Sequence, residues 1–169
     1  VLFRSNRAQD TSKDFPRRLS ETGLFASVAD HKLAPGIIPY SVNSPLWSDG
    51  AYKERAFLLP NRNGSDRRIE FQNQFGWTFP NDTVLIKSFA LEPTTADVGT
   101  RKWIETRLMV RQQNEWTGYT YRWNEEGTDA ELVDAAGEDV PYRVKDKNAP
   151  EGDRKSTRLN SSHEWISRM

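Results

Sequence analysis

The sequence predicts a mostly β domain, an antiparallel two-sheet sandwich with one short N-terminal helix, and three observations lead there. Short runs rich in β-branched and aromatic residues recur along the chain, separated by Gly, Pro, Asn and Asp. Only one stretch near the start pairs a helix-opening proline with a helix-closing glycine. Residues 101–123 fall into two β-rich halves divided by the polar Gln112-Gln113-Asn114-Glu115, the pattern of a β-hairpin. A partly open barrel is the alternative closure of the same strands.

Taken in order, residues 6–14 are polar and without period, and read as a linker. In residues 15–25, Pro16 suits a first helical turn and Gly23 a helix end, so a short helix is expected with Leu19, Leu24 and Phe25 as anchors. Pro35, Gly36, Pro39 and Pro45 exclude helix over residues 34–50. That segment is expected to cross the sheet surface in extended form, burying Ile37, Ile38, Tyr40, Val42, Leu46 and Trp47. A turn at Ser48-Asp49-Gly50 ends it. Residues 52–59 read as a strand closed by Pro60 and Asn61-Arg62-Asn63-Gly64, and residues 67–71 as a shorter one with Ile69 and Phe71 inward. Residues 76–82 read as a tight turn anchored by Trp77 and Phe79. Residues 83–91 are apolar on both faces except at Lys87 and Ser88, which places them mid-sheet.

In the hairpin, strict alternation sets Ile104, Thr106, Leu108 and Val110 on one face, and Trp103, Glu105, Arg107, Met109 and Arg111 on the other. Its second half carries Tyr119, Tyr121 and Trp123 opposite Gly118, Thr120 and Arg122. After a turn over residues 124–129, residues 130–136 are expected to hold a short strand over Glu131–Val133, with a single helical turn as the alternative, and residues 142–144 a last edge strand.

The ends of the chain read as non-biological. Leu2-Phe3-Arg4-Ser5 and Asp153-Arg154-Lys155-Ser156 can be encoded by overlapping, reverse-complementary strings that resemble a common sequencing adapter. Two ends of one protein have no physical reason to be related in that way. Residues 1–14 are therefore read as flank and linker, with 1–5 artefactual, residues 15–152 as a single β-rich domain, and residues 153–169 as an artefactual tail. The tail has no sustained apolar face, so it is expected to make few contacts with the body. The whole chain has 169 residues with 24 basic and 24 acidic side chains, and without the flanks it is slightly acidic. Such a balance lacks the basic footprint of a nucleic-acid binder, so no nucleic-acid partner is expected. No apolar run is long enough to span a membrane. The absence of cysteine excludes disulfides, thiolate metal sites and a cysteine nucleophile within these residues.

Motifs of chemistry are sparse. His31 sits in a polar Asp30-His31-Lys32 context with no partner at metal-ligand spacing, and reads as solvated. There is no Gly-x-Ser-x-Gly and no phosphate-binding loop. Asp49, Glu54, Glu105 and Asp129 lie in or beside expected strands, and Glu105 reads most simply as a cross-strand partner of Lys87, Arg107 or Arg122. No catalytic, cofactor or metal residue is assigned, and no catalytic activity is expected of these residues alone. The aromatic content is the unusual feature, with Trp103 and Trp123 as candidates for a sugar-stacking platform. The candidate binding surface comprises Trp47, Asp49, Lys53, Arg55, Trp103, Glu105, Arg107 and Trp123.

Several ordered blocks resemble a bacterial family of secreted diheme c-type cytochromes. They are the run from Ile38 through Pro45-Leu46-Trp47-Ser48-Asp49-Gly50-Ala51 with Lys53 and Arg55, and Trp77-x-Phe79-Pro80-x-x-Thr83-Val84-Leu85-Ile86-Lys87-x-Phe89. Glu105-Thr106-Arg107-Leu108-Met109, Trp116-x-Gly118-Tyr119-x-Tyr121-x-Trp123 and Thr128-Asp129-Ala130 complete the set. The resemblance spans residues 15–136 and covers the non-haem region. It implies an accessory β-domain of an extracytoplasmic (periplasmic or secreted) electron-transfer protein, with haem c in the full-length protein and none on these residues. The implied partners are the haem-bearing C-terminal domain of the same protein and a sugar-dehydrogenase-like domain. The rival expectation is a carbohydrate-binding β-sandwich without a redox role.

Overall fold

The computed structural model describes residues 15–45, 51–60, 68–91, 101–134, 137–140 and 157–159. Its strands are β1 (Phe25–Ser27), β2 (Lys32–Leu33), β3 (Ile38–Pro39), β4 (Tyr52–Leu58), β5 (Val84–Leu91), β6 (Lys102–Gln112), β7 (Glu115–Trp123), β8 (Ala130–Leu132), β9 (Glu138–Val140) and β10 (Thr157–Leu159). Six of them form one antiparallel sheet in the order β3-β4-β5-β6-β7-β8, with its two edges apart, so the sheet is open rather than a barrel. β1 and β2 form a two-stranded sheet that packs with the preceding turn over one face of the large one. The expected mostly β, antiparallel two-sheet architecture is present, with a second layer much smaller than the first.

The hairpin β6–β7 follows from its sequence. Gln113 and Asn114 both take left-handed backbone angles, φ 51 and 65, which is the two-residue turn whose twist matches that of paired strands. Cross-strand rows then set the core: Ala56, Ile86, Leu108 and Tyr119 lie side by side on four strands, with Leu58, Val84 and Val110 in a neighbouring row. Onto this face pack Phe15, Leu19, Leu24, Phe25 and Val28. The helix expected near Pro16 is a single 3₁₀ turn, Leu19–Thr22, stopped by Gly23 at φ 69. It is fixed from outside: the Tyr121 hydroxyl donates to the Pro16 carbonyl at 2.8 Å, and the Ser20 hydroxyl to Asp129 Oδ2 at 2.6 Å.

Several local expectations are corrected. Residues 68–79 form no second strand but a single bridge between Glu70 and Thr78, leaving Phe71, Phe75 and Trp77 at 70, 75 and 57 % exposure. Phe79 does act as an anchor, edge-on to Trp116 at 5.6 Å. Among the described residues of the extended segment, Ile37 packs against the core while Ile38, Tyr40 and Val42 stay exposed because β3 is a sheet edge; Leu46, Trp47 and the turn expected at Ser48-Asp49-Gly50 lie outside the described residues. The expected strand at residues 142–144 lies outside the described residues. Thr157–Leu159, in the segment read as a tail, pairs with Glu138–Val140 as a separate ribbon. The rest of that segment lies outside the described residues.

The most consequential difference is at the start of β6. Phe89 faces Glu105 and Ala90 faces Trp103, so Ile104 is an extra residue, a β-bulge. Strict alternation would have put Trp103 beside Glu105 and Arg107; the bulge rotates it onto the core face, where it packs against the buried cluster.

Leu108, fully buried at the centre of this face, tests the core assignment. Leu108→Ala should lower unfolding free energy by about 2–5 kcal/mol in denaturant titrations. Phe75→Ala, at 75 % exposure, should change it by no more than about 0.5 kcal/mol.

Candidate functional site

Two polar constellations stand on opposite faces of β4, β5 and β6. The first is interior. The turn between β1 and β2 is closed by the His31 N–H to the Val28 carbonyl at 2.8 Å, with His31 itself left-handed at φ 50. This swings the imidazole inward until its side chain is 7 % exposed. It stacks on Trp103 with centroids 3.7 Å apart, and Phe25 and Trp123 lie at 5.1 and 5.8 Å. Its Nδ1 is 3.1 Å from Glu54 Oε2. A carboxylate can only accept, so Nδ1 carries the hydrogen. In the neutral ring Nε2 is then bare, and it is buried without a hydrogen-bond partner. The Tyr52 hydroxyl donates to the other Glu54 oxygen at 3.1 Å. Burial pushes His31 below its ordinary value, outweighing the Glu54 charge and hydrogen bond that push it up. A pocket of about 250 Å³ opens beside this group, lined by His31, Leu33, Pro39, Tyr40, Glu54 and Ser88 among others. The solvated loop histidine expected from sequence is thus a core residue, because the turn that carries it lands on the sheet.

Deeper on the same face, Ser88 and Thr106 share a hydrogen bond of 2.8 Å, and the Trp123 indole donates to Thr106 Oγ1 at 2.9 Å. Trp123 is 5 % exposed. Neither Trp103 nor Trp123 therefore offers a free ring for stacking, since both belong to the interior.

The second constellation lies on the other face. Arg55, Lys87 and Arg107 are direct cross-strand neighbours on β4, β5 and β6. The adjoining row reads Lys53, Phe89, Glu105, Arg122 and Glu131 across five strands. Adjacent strands lie about 4.8 Å apart, so the cations of the first row are forced close together. Lys87 and Arg107 flank the Phe89 ring at 4.9 and 5.1 Å from its centroid. Glu105 is buried and paired with Arg107, one of the partners expected for it, from the same strand. Burial first, then the charges of Arg55, Arg107 and Lys53, hold Lys87 below its ordinary value. Lys53 is lowered by burial and by Arg55, and Arg107 by burial.

Of the sequence-derived surface, Lys53, Arg55, Glu105 and Arg107 come together here; Trp103 and Trp123 do not, and Trp47 and Asp49 lie outside the described residues. Lys87 was missing from that surface. Its signal was present as the one charge interrupting an apolar strand. Of the carboxylates weighed for glycosidase chemistry, the three among the described residues do not converge: Glu54 and Glu105 occupy opposite faces and Asp129 binds Ser20. Among the described residues there is no group of three or more His, Cys, Asp or Glu side chains placed to hold a metal ion. No helix there is long and apolar enough to cross a membrane.

No family model, curated protein or solved structure matches this chain.

The His31 environment gives a pH prediction. A base with a lowered folded value binds fewer protons folded than unfolded, so stability rises with pH through the window between the two values. Stability should therefore fall as pH drops below 6.5, the ordinary histidine value. Urea titrations at stepped pH should show that loss in the parent chain and a flatter response in His31→Gln.

Proposed function

We propose that this chain is an accessory β-domain of an extracytoplasmic c-type cytochrome, which takes part in electron transfer through haems carried elsewhere in the same protein. The observation that supports this is convergence. Lys53 and Arg55, Lys87 and Phe89, and Glu105 and Arg107 come from three separate blocks that resemble the secreted diheme family, and they meet on one face of the sheet. Residues serving the core alone would not assemble the half-buried cations Lys53, Arg55, Lys87 and Arg107 at one place. On this reading the domain contributes a surface, and its partners are the haem-bearing C-terminal domain and a sugar-dehydrogenase-like domain. The chain has no cysteine, so these residues do not fit covalent attachment of haem c, and no electron-transfer step is derived on them.

A carbohydrate-binding reading draws support from different aromatics than those singled out in the sequence. Phe71 and Trp77 are exposed and meet edge to face at 5.9 Å, with Phe75 exposed close by in sequence. That set, rather than Trp103 and Trp123, would be the stacking platform.

The coding sequence downstream of Gly152 in the source genome separates the two. The first reading expects a Cys-x-x-Cys-His motif in frame, and covalent haem on the extended recombinant chain but not on the present one. A glycosidase domain, or a stop codon with no haem motif, would contradict it.

A further inference from the structure

We propose that Lys87 is a carbonyl-capturing amine, and that with Arg55 beside it the outer face of β4 and β5 takes a small α-oxo acid as an imine. Such a site goes beyond the accessory-domain reading and does not rest on it. Backbone pairing seats Lys87 between Arg55 on β4 and Arg107 on β6. Arg107 is engaged by Glu105, the buried acid of the adjoining row. Among the described residues, the side chains of Lys87 and Arg55 make no hydrogen bond or ion pair. The half-buried Lys87 Nζ lies over the Phe89 ring, 4.9 Å from its centroid. An ammonium in that place loses water without gaining a carboxylate, and the cations on both neighbouring strands add to the cost. Both effects favour the uncharged amine, whose lone pair is the nucleophile. Burial, then Arg55, Arg107 and Lys53, lower Lys87 in the sense this geometry requires. Lys53 is lowered as well, but its Nζ already donates to the Ala51 carbonyl at 3.2 Å. Lys32 and Lys102 are exposed.

The reaction follows from the amine. The Nζ lone pair forms a bond to the carbonyl carbon while the C=O pair moves onto oxygen. As the C=N bond forms, that oxygen leaves as water with both amine hydrogens, so nothing is oxidised or reduced. Arg55 selects the class of carbonyl compound. Adjacent strands lie about 4.8 Å apart, so the amine and the guanidinium reach one small molecule between them. A guanidinium holds a carboxylate through two parallel hydrogen bonds. In an α-oxo acid the carboxylate and the reacting carbonyl are on adjoining carbons, which fits a cation next to the nucleophile.

The test uses the full chain with glyoxylate as the anionic probe and propanal as the neutral one. Each imine is trapped with cyanoborohydride, and the modified lysines are quantified by peptide mass spectrometry. At neutral pH glyoxylate should modify Lys87 roughly threefold or more faster than Lys32 or Lys102. The ratio of glyoxylate to propanal capture should also be higher at Lys87 than at those two. Arg55→Gln should lower glyoxylate capture at Lys87 by a larger factor than propanal capture, with Lys32 and Lys102 unchanged. Near-ultraviolet circular dichroism of the buried tryptophans reports whether Arg55→Gln is folded, and the comparison among lysines of the parent chain keeps the test decisive if it is not. Lys87 modified no faster than the exposed lysines, or without preference for glyoxylate, would overturn the proposal. Equal loss of both probes in folded Arg55→Gln would overturn it too. A downstream haem motif could still be found in any of those cases, so the two ideas fail separately.

Discussion

The register between β5 and β6, with one extra residue at Ile104, is the constraint on which the rest of this molecule depends. Side chains alternate strictly along a strand, so a single inserted residue exchanges the faces of everything beyond it. Here that exchange puts Trp103 on the core face, where it gives His31 a ring to stack on. It also frees the other face of a large aromatic that would otherwise lie beside Glu105 and Arg107. Without the bulge, the histidine would lose its packing surface and the cationic row would gain an indole neighbour.

The two faces therefore handle polar groups differently. On the inner face the described polar side chains pair with one another: Glu54 holds His31 through Nδ1 and Tyr52, and Thr106 holds Ser88 and Trp123, while His31 Nε2 stays bare. Such pairings lower the cost of burial and specify one packing arrangement. On the outer face the register itself creates conflict, because Arg55, Lys87 and Arg107 are held in one row by backbone pairing. The backbone ladder outweighs that repulsion, since like charges opposite one another cost only tenths of a kcal/mol up to about 1 kcal/mol at each contact. Stability and surface chemistry are in mild opposition here, as is common where a surface is shaped for something other than folding.

Much of the scaffold was legible in the sequence because alternation and turn chemistry are local properties. The hairpin, the central strand β5, the short strand β8 and the glycine stop at Gly23 all follow from patterns a few residues long. What escaped depends on long-range placement. No glycine or proline marks the bulge at Ile104, so Trp103 was assigned to the wrong face. Asp30-His31-Lys32 is polar in sequence, and only the docking of the β1–β2 turn onto the sheet buries His31. Residues 68–79 carry aromatic residues at strand-like spacing, yet without a pairing strand they remain mostly exposed. Lys53, Arg55, Glu105 and Arg107 were readable as surface, but that Lys87 completes their row required the register.

The central claim is that strand register holds three cations, Arg55, Lys87 and Arg107, side by side in one row of the sheet. It is tested most directly by the midpoint of thermal unfolding measured against sodium chloride concentration, for the parent chain and for Lys87→Gln. Salt at molar concentration shortens the screening length to about 3 Å and relaxes repulsion between exposed charges. The parent midpoint should rise with salt, while Lys87→Gln should start higher at low salt and rise less. A parent midpoint that falls with salt, or a Lys87→Gln curve that starts lower and keeps the parent slope, would contradict the account.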